Sequence, residues 1–571
     1  MKHLKIRDKF GAVLVYALLF LFFAAPLLRL GVMSLETEQG IGIQNYVELL
    51  REERTREAIR NTVVIAAAST LLSAAAGSSA AFLMAYTNLK RKELLEMLLL
   101  LPFVIPSYII TLSWSGLLSR QGLINRLVTA AGLEAINIYS VSGIILVIGI
   151  CNTPIVYMSV VHMLRKIPAD MEWASKTCGF GTCATLLRIN LAEALPAVVS
   201  GSLLAFLSAI DNFSVPAFLG ISSGIPVLST YIYEKAISFG PDAFPAAAAL
   251  SVLLSVIAVG GTLLEGMLVG KRSAMESMKE DHTVRIWLSS GWRKGIEWGL
   301  LAFLGFINIV PLLNMIYSSF QKTYGLRMSL QNFSVKNFSF VLTNRGAVAA
   351  VCNSLLLAAA TSLICIVLGM VCAYLKIRKN SVVMKTAEKC ASLTYAVPGI
   401  VLSLAMIFHW VEPVPGFRPG IYGTMGILAV AYVTRYLVLQ IKGSATALLA
   451  IDPALEEAVR VSGRGKIVLW REVMLPLLTG PVLSSAFLIF VPALTELTLS
   501  SMLAGAGTKT IGLTIFNYQQ SGDYNLSAAL SSIVVLFILA GYGLTHLKIR
   551  GMHMQRREQD ELVSGTACTA V

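Results

Sequence analysis

An all-α polytopic membrane protein, crossing the bilayer about twelve times as two tandem six-helix units, is the fold class this sequence predicts. Three observations carry the prediction: an excess of apolar residues, their grouping into twelve long runs, and an ordered internal repeat. Of 571 residues, 56% are hydrophobic and only 14% charged, where soluble domains carry roughly a quarter charged. So much apolar surface cannot be hidden inside a water-soluble protein of this size.

A bilayer core of roughly 30 Å takes about 20 apolar residues per helix. Runs of that kind lie at 11–33, 62–86, 95–117, 141–163, 196–219, 244–269, 295–319, 353–375, 388–410, 421–441, 476–502 and 525–547. The first follows a few basic residues and is too long for the apolar part of a cleaved secretory leader, so it reads as a retained crossing. With the N terminus in the cytoplasm, the inside loops and tails hold 31 Lys and Arg, the outside loops 13, and Arg29 and Arg435 fall within runs. That asymmetry predicts both termini in the cytoplasm. The net charge of +14 is thus divided among short clusters between apolar runs, which is not the stripe or tail of a nucleic-acid-binding protein. The stretch Ser34 to Arg60, mixing Glu with Arg, is predicted to be a largely helical outside loop.

The repeat is read by comparing the chain with itself. Asn61-Thr62 and Gly77 recur as Asn353-Ser354 and Gly369, and Val104-Ile105-Pro106 recurs as Ala396-Val397-Pro398, all at an offset of 292. Ile167 through Gly179 lines up with Ile451 through Gly463 at an offset of 284, and Thr230 with Thr514. The matches keep their order, which chance similarity between apolar segments would not. The units are expected at 1–270 and 295–571, joined by a basic cytoplasmic linker, 271–294, that carries Lys271, Arg272, Lys279, Arg285, Arg293 and Lys294. Six crossings per unit make both copies enter the membrane in one direction, with a pathway expected between them.

Between the fourth and fifth runs of each unit lies a polar loop, about 167–196 and 451–481. In the second, Asp452-Pro453 starts a short helix, Glu456 and Glu457 suit its positive N-terminal end, and Gly463 can take the positive φ that stops it. Glu457-Ala458-Val459, Gly463, Val473, Leu475 and Pro476 then resemble the motif of binding-protein-dependent ABC importer permeases: E-A-A, three residues, G, nine residues, I, one residue, L-P. The first copy keeps Ala174, Gly179, Ile189 and Leu191, and departs with Trp173, preceded by Glu172, at the glutamate and Ala192 at the proline. Without the resemblance, both loops could be plain amphipathic connections at the membrane surface.

The resemblance implies type I importer permease units whose motif loops act as coupling helices in the groove of a separate ATPase subunit, two copies of it. It assigns that contact to Glu172, Trp173, Ala174 and Gly179 in the first loop, and to Glu456, Glu457, Ala458, Gly463 and Pro476 in the second. It also implies an extracytoplasmic substrate-binding protein as partner and a bacterial inner-membrane location. Two units fused in one chain, with Asp211-Asn212-Phe213-Ser214-Val215-Pro216 and Leu494-Thr495-Glu496-Leu497, are similar to the iron(III)-type branch. Ferric iron is therefore the expected solute, with thiamine or an aminoalkylphosphonate as alternatives. Asp211, Asn212 and Glu496 are polar groups in apolar runs, where burial in lipid is costly. They either line a translocation path or brace the two bundles, with Arg435 as a possible counter-charge.

The chain is expected to be no enzyme. Gly463-Arg464-Gly465-Lys466 lacks the spacing and the Ser or Thr of a phosphate loop, so ATP falls to the partner subunit and no cofactor is expected. No paired-His zinc helix occurs. The eight cysteines, including Cys178 and Cys183 with four residues between them in the first loop, have no metal-site spacing, and no metal is expected. An ion-coupled secondary transporter is the other function class open to twelve crossings in two halves. It would need an ion relay in the spans and no paired loops.

Overall fold

The computed structural model describes residues 2–37, 40–238, 243–269, 280–326, 330–411, 420–541 and 543. Linker residues 271–279, Lys279 among them, and the end of the last predicted run lie outside these. Ten described helices are long and apolar enough to cross a membrane. They are Gly11–Met33, Glu53–Tyr86, Val141–Lys166, Leu186–Asp211 and Ala243–Leu263 in the first unit, and Ser290–Ser319, Arg345–Lys379, Met425–Leu449, Lys466–Leu494 and Tyr524–Gly541 in the second.

The remaining two crossings follow from how these helices pack. Ser73 donates to the Gly149 carbonyl at 2.9 Å, and Tyr86 reaches the Leu164 carbonyl at 3.4 Å. Glu53–Tyr86 and Val141–Lys166 therefore run parallel, and the chain between them must cross back. Their close approach needs a glycine, because a Cβ on Gly77 would lie 2.8 Å from the Thr153 carbonyl oxygen. The second unit repeats the packing, with Gly369 against Gln440 and Arg378 against Ile451.

The return crossings differ from the unbroken helices expected at 95–117 and 388–410. Each is two helices, Lys92–Val104 with Ser107–Leu117 bent by 103°, and Val382–Ala396 with Gly399–Val411 bent by 112°. Pro106 and Pro398 cause the breaks: proline disfavours helix in the residue before it, and Ile105 (ψ 130°) and Val397 (ψ 133°) are extended. The second member of each pair is buried on nearly every side, deep in the bundle.

A second departure concerns the fifth and eleventh runs. They stop at Asp211 and Leu494 rather than 219 and 502, and each is followed by two short helices: Ser214–Leu219 and Leu228–Ile237, then Thr498–Leu503 and Ile511–Gln520. These do not cross. Asn61 donates to the Pro226 carbonyl at 3.0 Å and Thr62 accepts from Leu228 N–H at 2.9 Å, which pins the segment to the start of the second crossing. Asn353 and Ser354 do the same with Gly507, Lys509 and Ile511. The polar pairs that mark the repeat are these pins. At the same end, the loop after the first crossing forms a short hairpin, Glu36–Thr37 with Gly40–Ile41, and a helix, Gln44–Arg51.

Candidate functional site

Both motif loops fold as the composition of each predicts locally. The helices are Ala169–Thr177 and Ala454–Val461. Gly179 (φ 86°) and Gly463 (φ 71°) then close them by one pattern. Phe180 N–H donates to the Ser175 carbonyl and Gly179 N–H to Lys176; Arg464 N–H donates to Val459 and Gly463 N–H to Arg460. This capping arrangement requires a left-handed residue, which glycine supplies without a Cβ clash. After each loop comes a π-helical turn, Leu186–Asn190 and Leu469–Met474. Pro476 follows only the second turn, so proline is not its cause.

The two carboxylates expected together at the second loop are separated by the helix: Glu456 is buried and Glu457 exposed. Glu456 accepts from Arg378 Nε at 2.6 Å and from the Tyr374 hydroxyl at 3.3 Å, while Arg378 Nη2 donates to the Ile451 carbonyl at 2.8 Å. Glu172 is the repeat equivalent and is equally buried. It accepts from Arg285 and from Asn190 at 2.5 Å, and Arg285 Nη2 donates to the Ile167 carbonyl at 2.8 Å. A buried carboxylate needs such a partner, because transfer from water costs several kcal/mol per ion. Arg285 also lies over the Tyr86 ring, 4.9 Å from its centroid.

The outward sides of the two helices are free. Trp173 is 66% exposed, and Ala174, Ala458 and Glu457 face away from the bundle. Lys176 sits 5.9 Å from the Trp173 ring.

Sequence reasoning placed Arg285 in the linker's basic cluster and assigned Arg378, Tyr374 and Asn190 no role. Arg285 belongs to a strap docked on the first unit. Asp281 N–H donates to the Arg165 carbonyl, Arg285 and Ile286 N–H to the Tyr86 carbonyl, and Asn88 and Leu288 pair reciprocally. The Asp281 carboxyl is held below its ordinary value: burial opposes this, and hydrogen bonds from Thr283 with the charge of Arg285 outweigh it. No sequence signal distinguished Arg285 from its basic neighbours, since its partner lies 113 residues away.

The polar residues of the spans meet at the seam between the units. Asp211 accepts from Gly399 N–H at 2.6 Å and from Arg435 Nη2 at 2.5 Å, and Arg435 Nη1 reaches the Val397 carbonyl at 3.3 Å. One carboxylate from the first unit thus satisfies the broken backbone of the second unit's bent crossing. Arg435 pairs with Asp211, not Glu496. Glu496 instead accepts from the Tyr436 hydroxyl and from Leu499 N–H at 3.0 Å, and Asn212 accepts from Val215 N–H at 2.9 Å. These two repeat equivalents cap the short helices that follow them, as N-cap side chains do. Asp211 keeps 36% of its side chain accessible.

At the end of the seam away from the motif loops, aromatic rings from both units interlock. Phe516 lies 5.5 Å from Phe218, 6.3 Å from Phe213 and 6.4 Å from Tyr233 between centroids. Gln520 Nε2 donates to the Ala217 carbonyl beside them at 3.2 Å. Tyr108 stacks on Phe218 beneath the cluster. The halves are closed together here.

The family described as "Binding-protein-dependent transport system inner membrane component" matches twice, over residues 73–271 and 365–552. A ferric transport system permease protein of Actinobacillus pleuropneumoniae is 25% identical over 450 residues, covering 77% of this chain and 64% of the relative. This chain therefore spans about 64% of that relative's length. An Fe(3+)-transport system permease protein of Haemophilus influenzae is 22% identical over 93% of this chain and 97% of its own. A molybdenum transport system permease protein of Mycobacterium bovis is 33% identical over 29% of this chain and 61% of its own. With one match in each tandem unit and more than half of its residues covered, the chain belongs to the binding-protein-dependent transport system inner membrane component family, twice over.

Proposed function

We propose that this chain is the membrane-spanning subunit of an ABC importer for ferric iron, handed over by an extracytoplasmic binding protein and driven by two copies of a separate ATPase. The observation that carries the reading is the pair of motif loops. Each presents a short helix whose inner glutamate is buried against an arginine, while its outer side stays free to dock. Glu457, Ala458 and Gly463, with Trp173, Ala174 and Gly179, form the docking surfaces. Glu456 directly, and Glu172 through Asn190 and Tyr86, anchor them to the bundle, so that movement of the ATPase is passed to Arg345–Lys379 and Glu53–Tyr86.

The seam is the translocation path. In the present conformation it is closed by the aromatic cluster at the far end, the side on which a binding protein docks if both termini are cytoplasmic. Closure of the ATPases on ATP would rotate the units apart there and expose Asp211 and Arg435. Units 1–270 and 295–571 are the moving bodies, and the linker strap rides with the first. The chain itself hydrolyses nothing and needs no cofactor.

Iron is favoured by the two long matches to permeases named for ferric transport. The shorter match to a permease named for molybdenum transport favours a second reading, molybdenum as the solute. Thiamine and an aminoalkylphosphonate are further solutes for the uptake comparison. Uptake of radiolabelled solutes by a strain lacking this gene decides among them. Loss of ferric uptake alone supports the proposal; normal ferric uptake with loss of another solute rejects iron and leaves the permease assignment standing.

A further inference from the structure

A cavity of about 770 Å³ opens on the outside of the second unit, between the end of Arg345–Lys379 and the start of Lys466–Leu494. Both crossings meet the membrane face that carries the motif loops, and the cavity straddles that face. Its wall along the first of these helices is apolar. Ile366, Val367, Met370 and Val371 recur at i, i+1, i+4 and i+5, which is one helical face, and Val367 and Val371 are exposed. Tyr374 from the same helix and Trp470 from the other follow, with ring centroids 5.0 Å apart. Such rings are enriched where hydrocarbon gives way to headgroups.

Beyond the rings the lining turns cationic. Lys379, Arg460, Arg464 and Lys466 line this end, and no acidic side chain lines the cavity. Arg464 gives one contact to Glu472 at 2.8 Å, and Arg460 lies 3.8 Å from Glu456. Lys379 and Lys466 are exposed and form no ion pair among the described residues. Apolar wall, aromatic level and basic rim thus follow one another toward the end of Arg345–Lys379, in the order of acyl chain, glycerol and phosphate. The first unit does not repeat the arrangement. At the 292-residue offset Ala74, Ala75, Ser78 and Ser79 replace the wall, and Thr87 replaces Lys379. At the 284-residue offset Phe180 and Thr182 replace Arg464 and Lys466.

We propose that this cavity binds one anionic phospholipid from the leaflet on the side of the motif loops. Lys379 and Lys466 hold its phosphate, Arg460 and Arg464 complete the rim, and an acyl chain lies along the face from Ile366 to Val371. A zwitterionic headgroup would bring its own cation to a cationic rim, whereas a headgroup with net negative charge is attracted by every member of it. Lys379 ends one crossing and Lys466 opens the other, so the bound lipid ties the turn after the second motif loop to the bundle. The first loop has no such tie.

The test uses the full chain in phosphatidylcholine nanodiscs that carry a small fraction of phosphatidylglycerol bearing a diazirine on one acyl chain. Labelled peptides are mapped by mass spectrometry after illumination. Label should concentrate on residues 366–379 and 466–470, and unlabelled phosphatidylglycerol should displace it where inorganic phosphate does not. Lys379→Gln and Lys466→Gln should each lower the yield about fivefold, and the double variant about 25-fold. Lys385→Gln with Lys389→Gln, which removes equal charge from exposed positions on Val382–Ala396, should leave it unchanged. Equal labelling of residues 74–79 in the first unit, or a double variant that keeps the label, overturns the proposal. Should the double variant fail to insert, a phosphatidylcholine diazirine probe on the parent decides: labelling equal to that by phosphatidylglycerol overturns the site, and much weaker labelling supports it. Loss of the label when the ATPase is assembled would give the basic rim to that subunit and reject the lipid, with the permease reading untouched.

Discussion

Arg285 and Arg378 hold repeat-equivalent glutamates, Glu172 and Glu456, by the same two contacts, one to the carboxylate and one to the carbonyl that opens the loop. Their origins differ. Arg378 stands on the second crossing of its own unit, where the 292-residue offset puts Tyr86 in the first. The first unit lacks that cation, and the strap between the units brings one in. Arg285 then covers the ring of the tyrosine that occupies the arginine's register.

Removing either arginine should strand a buried carboxylate, at about 3–5 kcal/mol. Arg285→Gln and Arg378→Gln are therefore expected to lower the thermal midpoint of the purified protein. Pairing Arg285→Gln with Glu172→Gln should recover most of the loss, because no uncompensated charge remains. A double-mutant cycle measures this, and strict additivity would mean that the pair is not coupled.

Glu457 and Trp173 occupy one repeat position, and both lie on free surface. Glu457→Ala should leave folding intact and weaken ATPase capture through the loss of a charge-assisted hydrogen bond, roughly 1.5–3 kcal/mol. Trp173→Ala should weaken capture through lost apolar contact, with less sensitivity to salt. Co-purification at two ionic strengths separates them. Equal capture by both variants and the parent would remove these faces from the interface.

Gly463→Val meets no steric neighbour, so its whole effect must come from backbone strain at φ 71°. That strain is about 1–3 kcal/mol, and it should redirect the loop rather than unfold the bundle. The expected outcome is a chain that inserts and stays monodisperse, while the ATPase assembled with it hydrolyses ATP without transport in vesicles. Gly179→Val should behave alike. Coupled transport by both variants would sink the coupling assignment.

At the seam, Asp211 pairs with the Arg435 charge and also accepts from the backbone N–H of buried Gly399. Asp211→Ala should therefore cost more than Glu496→Gln, which keeps an acceptor for Leu499 N–H. The first is expected to loosen the bend at Val397 and raise hydrogen exchange near Gly399. The second should change exchange only around Thr498–Leu503. Mass-spectrometric exchange reads both, and equal effects would argue against Asp211 as the brace.

Orientation has its own test. Cysteines at Lys90 and Lys466 should react only from the cytoplasm, and at Glu52 and Lys336 only from outside, following the basic asymmetry of the loops. Labelling of Lys90 and Glu52 positions from one side would contradict the parallel packing of the second and fourth crossings.

Much of this protein was legible locally. Apolar run length sets where helices cross, because an unsatisfied backbone is intolerable in lipid. The phased glycines announced where the motif helices stop, since only glycine takes positive φ freely. Even the breaks in the third and ninth crossings were marked, by Pro106 and Pro398. Apolar composition continues across both breaks, and hydropathy is blind to direction. The fates of single polar residues were settled only in three dimensions. Whether a carboxylate is a docking group or an anchor depends on what lies opposite. Glu456 and Glu457 are neighbours with identical chemistry, but the helix turns one onto Arg378 and the other outward. Asp211 meets Arg435 across 224 residues of chain and Glu172 meets Arg285 across 113. Such pairings have no local signature, because the cost that enforces them, an unpaired charge out of water, exists only once the helices have packed.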